Sequence, residues 1–131
     1  MIHLSLTTHF SCAHFYAQDQ WTEAENRQVF GKCFSTYGHG HDYQLKVTII
    51  TTPDDLKNNE NRLAAALRKI HNHFDHRHLN FDFEEFKILV PTTENFSKVI
   101  LSEISHLDPE LKIHQLSLFE TPDLFVEIDL N

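Results

Sequence analysis

Cysteine is scarce in this sequence, with only Cys12 and Cys33 among its 131 residues. This scarcity excludes the disulfide framework on which many small secreted domains depend, so we expect two free thiols. A chain of this length buries about 65–70% of the surface that its unfolded form exposes. We therefore predict one domain, residues 1–131, that folds without covalent cross-links.

Long apolar runs are also missing, since no stretch approaches the ~18 residues that a membrane-spanning helix requires. No basic segment followed by an apolar one opens the chain, so the sequence shows no secretory leader. We therefore expect a cytoplasmic protein that does not interact with a membrane.

Basic residues are outnumbered, because eleven lysines and arginines stand against nineteen acids and give a net charge of −8. Binding of nucleic acid by bulk electrostatics requires a basic face, and this balance argues against it. A small anionic substrate is still compatible with the sequence if local basic residues receive it. Histidine is the outlier in composition, with eleven residues, and imidazole is a common metal ligand.

Hydrophobic periodicity predicts two strands followed by two helices. Apolar and polar residues alternate over residues 2–11 and 41–51, which is the period of a half-buried strand. We expect these two strands to pair antiparallel. The period then changes to that of a helix over residues 54–73, and a second helical pattern covers residues 93–106.

Two short alternating runs, Ile113 to Glu120 and Phe125 to Leu130, flank the turn signal TPD and predict a hairpin. Thr22 and Glu25 have the spacing of a capping box, which predicts one or two helical turns through Phe30. The order strand, strand, helix, helix, strand, strand predicts an α+β fold. In this fold a four-stranded antiparallel sheet carries both helices on one face.

Three histidines are predicted to meet at one end of this sheet. His39 and His41 lie at the entry to the second strand, where residues two apart project from the same face. His14 follows the first strand and reaches the same end if the two strands form a hairpin. Three neutral imidazoles with an open fourth position make a catalytic zinc site. The alternative is that the His-Gly-His segment is a surface pair without metal.

Cys33, Asp75 and His76 are candidates for proton transfer. Cys33 precedes the histidine pair in a loop, where a nearby dication and imidazole can hold a thiol as a reactive thiolate. Asp75 and His76 follow the first helix and can present both side chains to a third group, such as Cys33, as a proton relay. The alternatives are an inert thiol, the role that we assign to Cys12, and a polar loop capped by Asp75.

A carboxylate, Glu120, interrupts the apolar stretch LSLFETPDLFV. At the end of a strand it can accept two N–H donors from a planar heterocycle, although an edge-strand charge that prevents aggregation would look the same. By local sequence, Thr92, Thr93 and Glu94 are typical of a helix N-terminus, where hydroxyl and carboxylate groups satisfy free amides.

Five short motifs together resemble, in order and spacing, the 6-pyruvoyl-tetrahydropterin synthase family. They are FSCAH, FGKCFSTYGHGHDY, DHRHLN, PTTEN and FET, and they extend over nearly the whole chain. The resemblance implies a T-fold of two β-hairpins and two helices. It also implies a homo-oligomer in which trimers close a β-barrel and stack into a hexamer, with sites between subunits.

The resemblance further implies a zinc-dependent lyase whose substrate is 7,8-dihydroneopterin triphosphate. Zinc on His14, His39 and His41 would act as a Lewis acid on the hydroxyls of the substrate side chain. Cys33 would abstract and return carbon-bound protons while triphosphate leaves, with Asp75 and His76 as its relay partners. The residues implied in pterin binding are Glu120, Thr92, Thr93 and Glu94.

Product identity depends on which branch of the family the chain resembles. The branch of queuosine synthesis, which makes 6-carboxytetrahydropterin, usually has three residues between the cysteine and His-Gly-His, and the pyruvoyl branch usually has five. Here five residues intervene, Phe34 to Gly38, which favours the pyruvoyl product. Two other classes are weaker: a zinc hydrolase leaves Cys33 and Glu120 without roles, and a non-catalytic pterin- or metal-binding protein does not require Cys33.

Overall fold

The structure, a computed structural model, describes residues 1–18, 20–31 and 39–130, except for the side chain of His39. Five strands and five helices are present in these ranges. In chain order they are β1 (Ile2–His14), α1 (Glu23–Phe30), β2 (His39–Thr51), α2 (Leu56–Phe74), β3 (Arg77–His78), α3 (Leu79–Asp82), α4 (Glu85–Ile88), α5 (Thr93–Leu107), β4 (Ile113–Thr121) and β5 (Leu124–Asp129).

One mixed sheet with the strand order β3-β1-β2-β4-β5 forms the centre of the fold. The pairs β1–β2, β2–β4 and β4–β5 are antiparallel. The α+β class and the four long antiparallel strands are therefore as predicted, but the number of strands is wrong. The two-residue strand β3 adds a fifth, parallel to β1, with Cys12 opposite Arg77 and Ala13 opposite His78.

The first two strands are longer than the periodicity predicts. β1 continues beyond residue 11 to His14, and β2 begins at His39 rather than at residue 41. Pairing continues to the ends of both strands, where His14 lies opposite His39. The extra residues bring the histidine positions into the ordered sheet, where backbone hydrogen bonds fix their spacing.

Alternation along the strands creates one apolar face, against which α2 and α5 pack. In β2 the inward side chains Tyr43, Leu45, Val47 and Ile49 are fully buried. Burial removes apolar surface from water at roughly 25 cal/mol per Å², which makes this layer the main source of stability. The helices contribute a further set of buried side chains: Leu63, Ala66, Leu67, Ile70 and Phe74 from α2, and Phe96, Ile100 and Ile104 from α5.

The predicted capping box at α1 is present. Glu25 N donates to Thr22 Oγ1 at 3.1 Å, and Thr22 N donates to Glu25 Oε1 at 3.2 Å. Both interactions satisfy amides that a helix start leaves without intrahelical partners.

Within the described ranges, none of the helices combines the length and apolar character that crossing a bilayer requires.

Phe96 is the aromatic centre of the core. Its fully buried ring lies 5.1 Å from the rings of Tyr43 and Phe74, and both contacts are edge-to-face. We predict that Phe96→Ala lowers the free energy of unfolding by about 3–5 kcal/mol, because it removes a buried ring and leaves a cavity. Urea unfolding measures the loss.

Phe81→Ala is the matched control, because the Phe81 side chain is 56% exposed. We expect this substitution to cost about 1 kcal/mol or less. Equal losses in the two variants would contradict the assignment of Phe96 to the core.

Candidate metal and substrate site

The ends of three strands meet at the candidate site. Antiparallel pairing places Cys12 opposite His41 near the end of β1, and His14 follows two residues later on the same face. Glu120 lies near the end of β4, where the pairing with β5 shifts register. His39 is paired with His14 through the backbone, and its side chain is outside the described part of the chain.

Three side chains come close enough at this point to bind one metal ion together. Glu120 Oε1 lies 3.5 Å from His14 Nε2 and 4.0 Å from His41 Nε2. One ligand atom from each residue lies within 4.8 Å of the other two. Donors at zinc bond lengths of about 2.0–2.1 Å and tetrahedral angles are about 3.3 Å apart. The observed spacing therefore fits a small divalent ion with little rearrangement.

Burial distinguishes the three side chains. The His14 side chain is fully buried, whereas the Glu120 side chain is 8% exposed and the His41 side chain is 20% exposed. A buried carboxylate requires a compensating cation or several hydrogen-bond donors. Two imidazole nitrogens and a carboxylate oxygen are ligands suited to zinc and to related divalent transition metals. The donor set thus agrees with a metal site, and the same donors accommodate more than one metal.

Two tyrosines that the sequence analysis missed complete this cluster. The hydroxyl of Tyr43 lies 2.8 Å from His14 Nδ1, and the hydroxyl of Tyr16 donates to Glu120 Oε1 at 3.2 Å. Burial, followed by the negative charge of Glu120, raises the pKa of Tyr43 well above its ordinary value, so its phenol stays protonated. Tyr43 lies two residues after His41 in β2, a strand spacing that would have indicated a shared face, whereas Tyr16 follows the end of β1, where strand spacing no longer applies.

Asp75 and His76 attach to the outer edge of β1. Ser11 N donates to Asp75 Oδ1 at 2.9 Å, and His76 N donates to Ser11 O at 2.7 Å. His76 has a left-handed backbone conformation, with φ 59°, and its Nδ1 lies 2.8 Å from Asp75 Oδ2. The two adjacent side chains therefore contact each other directly.

A cavity of about 410 Å³ lies between the ends of β1 and β2 and the segment around His76. His76 and His41 both line it, together with Ser11 and Asp42. The side chain of His76 is 83% exposed, so its second ring nitrogen is accessible to a ligand. His76 and His41 thus face one space, although they lie on different sides of β1.

The two cysteines differ in what the structure describes. Cys33 lies outside the described residues. Cys12 is buried and donates from Sγ to Phe74 O at 3.1 Å. Burial, with a smaller contribution from the charge of Asp75, raises the pKa of Cys12 to about 12. Cys12 therefore remains a protonated thiol at neutral pH, which agrees with the structural role predicted for it.

Thr92, Thr93 and Glu94 form the start of α5. Thr92 is the N-cap residue, whose Oγ1 accepts from Asn95 N at 3.1 Å. Glu94 Oε1 lies 3.1 Å from Lys98 Nζ, and Thr93 is buried. These contacts are those of a helix terminus, the local role that the sequence already indicated.

Sequence comparisons relate the chain to one family. A family model described as 6-pyruvoyl tetrahydropterin synthase matches residues 3–131. The chain is 34% identical over 119 residues to the 6-pyruvoyl tetrahydrobiopterin synthase of Drosophila melanogaster, covering 86% of this chain and 70% of the relative. It is 31% identical over 122 residues to a putative 6-pyruvoyl tetrahydrobiopterin synthase of Caenorhabditis elegans, covering 86% and 84% respectively.

A structural comparison agrees with this relationship. The solved structure of Caenorhabditis elegans 6-pyruvoyl tetrahydropterin synthase superposes with a TM-score of 0.83 and 27% sequence identity. The match covers 99% of this chain and 96% of that protein. The five-stranded arrangement thus lies within a fold already seen in solved structures.

The attachment of Asp75 to β1 predicts a pH-dependent stability. The hydrogen bond from Ser11 N, followed by the contact with His76, lowers the pKa of Asp75 below its ordinary value. Its contribution to stability is therefore present above the unfolded-state pKa, about 3.9, and is lost as pH falls through the folded-state pKa. We expect Asp75→Asn to be less stable than wild type at pH 5–7 in urea unfolding, with the difference narrowing below about pH 4.

Asp123→Asn provides the control for this pH series, because Asp123 is exposed in the turn between β4 and β5. We expect its free energy of unfolding to stay within about 0.5 kcal/mol of wild type throughout. A constant difference between Asp75→Asn and wild type across the series would show that the Asp75 carboxylate does not contribute in its charged form.

Proposed function

Since the chain belongs to the 6-pyruvoyl tetrahydropterin synthase family and is an enzyme of this type, we propose that it converts 7,8-dihydroneopterin triphosphate to 6-pyruvoyl-tetrahydropterin. Triphosphate leaves by elimination, which makes the reaction a zinc-dependent carbon–oxygen lyase reaction. The convergence of His14, His41 and Glu120 at the strand ends is the observation that carries the proposal. We further propose a cytoplasmic location, where Cys33 stays reduced.

His14, His41 and His39 are the proposed protein ligands of zinc. The ligand-distance spacing of His14 and His41 around Glu120 supports this assignment, and the backbone pairing of His39 with His14 supports the third ligand. When bound, zinc supplies Lewis acidity to the side-chain hydroxyls of the substrate. The chain itself holds the imidazoles of His14 and His41 in a fixed relation on two paired strands.

Glu120 is proposed to accept the amino and ring N–H groups of the pterin as a bidentate acceptor. The hydrogen bond from Tyr16 orients this carboxylate at one oxygen. Because Glu120 Oε1 lies 3.5 Å from His14 Nε2 and 4.0 Å from His41 Nε2, the pterin would be held directly beside the zinc site. Thr92, Thr93 and Glu94 are proposed to assist in holding the pterin.

Cys33 is the proposed base that abstracts and returns carbon-bound protons, with Asp75 and His76 as its relay partners. The direct contact between Asp75 and His76 supports the relay, because the carboxylate holds the imidazole in one orientation. The cavity that His76 shares with His41 supports a common reaction space.

We also propose that the protein is a homo-oligomer, a trimer or a hexamer of stacked trimers. The edges of the sheet support this proposal. β5 forms one edge, and at the opposite edge β3 pairs only with Cys12 and Ala13 of β1. Within the described residues, the rest of β1 has no partner strand on that side. Unpaired strand edges are templates for pairing with another chain. Pairing of these edges between copies of the chain would satisfy the hydrogen-bonding capacity of their backbone N–H and C=O groups.

The alternative product is 6-carboxytetrahydropterin, as in the queuosine branch of the family. Both branches require the same metal and relay residues, so the site described above does not separate them. The five residues between Cys33 and His39 favour the pyruvoyl product, because a displacement of about 1 Å alters a proton transfer by ~100-fold.

We predict that the purified protein holds about one zinc per chain and that His41→Ala removes most of it, because loss of one of three protein ligands opens the site to exchange. His39→Ala is expected to act in the same way. Metal analysis after gel filtration measures the content. The control is His106→Ala, which changes a histidine on the exposed side of α5 and should leave zinc unchanged. Full zinc content in His41→Ala would place the metal elsewhere.

The reaction itself is tested by incubating zinc-loaded protein with 7,8-dihydroneopterin triphosphate and identifying the products by mass. We predict mainly 6-pyruvoyl-tetrahydropterin and triphosphate. Cys33→Ala should lower the rate by ~100-fold or more without changing zinc content, because it removes the base. Cys12→Ala, the matched control, should keep most of the activity because that thiol is buried and protonated.

Two outcomes would contradict this proposal in different ways. If 6-carboxytetrahydropterin and acetaldehyde dominate, the chain belongs to the queuosine branch and loop length does not determine the product. If the triphosphate stays intact with zinc-loaded protein, the proposed catalytic function is wrong.

A further inference from the structure

The hydroxyl of Tyr43 contacts the ring nitrogen of His14 that faces away from Glu120. The Tyr43 oxygen lies 2.8 Å from His14 Nδ1, while His14 Nε2 lies 3.5 Å from Glu120 Oε1. We infer that Tyr43 is a positioning residue that fixes the tautomer and ring orientation of His14 for metal binding. The inference rests on the metal site of the proposed function and assigns a role to a residue that does not touch the metal.

A neutral imidazole carries a single N–H proton, on one of its two ring nitrogens. A histidine that binds a metal through Nε2 must carry its proton on Nδ1, because a neutral ring has one N–H and one acceptor nitrogen. That N–H then needs an acceptor. Both His14 and Tyr43 are fully buried, so water does not reach the bond and the Tyr43 oxygen is the acceptor at hand.

The two phenols of the cluster have different partners. The Tyr16 hydroxyl donates to Glu120 Oε1 at 3.2 Å, whereas the Tyr43 hydroxyl contacts His14 Nδ1 at 2.8 Å. A phenylalanine in place of Tyr43 would fill the same space but would offer the His14 N–H no acceptor, which makes Tyr43→Phe a selective test.

Core packing holds the phenol ring in place. Tyr43 lies opposite Phe10 in the β1–β2 register, and their rings stack with centroids 5.8 Å apart. The edge-to-face contact with Phe96, at 5.1 Å, restrains the ring from another side. Because the ring has little freedom, its hydroxyl is a fixed reference for the orientation of His14.

The test measures zinc affinity of Tyr43→Phe by competition with a chromophoric chelator. We expect its zinc dissociation constant to rise about 10–100-fold, the usual effect of losing a hydrogen-bond partner of a metal-bound histidine. Tyr16→Phe is the matched variant, since it removes the phenol hydroxyl bonded to Glu120 but leaves the Nδ1 contact of His14 intact. Its effect should be smaller. A purely structural role for Tyr43 would lower thermal stability without changing zinc affinity.

A measurement on the unmodified protein keeps the inference testable if Tyr43→Phe does not fold. In zinc-loaded protein with ¹⁵N-labelled histidine, NMR should show the proton of His14 on Nδ1, slowly exchanging and hydrogen-bonded. A proton on Nε2 would overturn the inference, as would an unchanged dissociation constant in Tyr43→Phe. If wild-type protein binds zinc and turns over substrate in either case, only the inference fails. If wild-type protein takes up no zinc, the proposed metal site fails with it.

Discussion

Pairing of β1 with β2 holds thirteen residues of each strand in one register, from Ile2 opposite Thr51 to His14 opposite His39. The site depends on this register because a strand presents alternate residues to opposite faces. A slip of one residue would turn His41 away from the buried face, and Tyr43 with it. The apolar side chains of β2 prevent the slip, since the same shift would expose Leu45 and Val47 to water.

Tyr43 connects the apolar core with the polar site. Its ring packs against Phe10 and Phe96, and its hydroxyl lies against His14. The position of the candidate ligand His14 is therefore determined by aromatic packing as much as by polar contacts. Such coupling is expected where a polar cluster is buried at the edge of a core, because close-packed interiors transmit small displacements.

The long elements are predictable because their patterns repeat over many residues. The sequence analysis identified the four long strands, α2, α5 and the capping box of α1, whereas β3, α3 and α4 are too short to repeat a pattern. β3 pairs with β1 because α2 ends beside β1 and the chain continues along that strand. The residue types of Arg77 and His78 do not predict this tertiary arrangement.

Parts of the site are predictable for a similar reason. His14 and His41 follow from strand spacing, because residues at fixed intervals on paired strands share a face. Alternation along β4 places Glu120 on the same buried face as Leu118, but its approach to both histidines depends on the pairing of β4 with β2, which periodicity does not reveal. The direct contact of Asp75 with His76 depends on a left-handed backbone at His76, a conformation uncommon for a residue other than glycine.

The burial of Cys12 has a consequence for chemical labelling. Its thiol is enclosed in the core and donates to the carbonyl of Phe74, and thiol-specific reagents attack the thiolate form. With a pKa of about 12, Cys12 supplies almost none of that form at neutral pH. Mild alkylation of the folded protein is therefore expected to leave Cys12 unmodified, so any label that it places on a thiol lies on Cys33, the other cysteine of the chain.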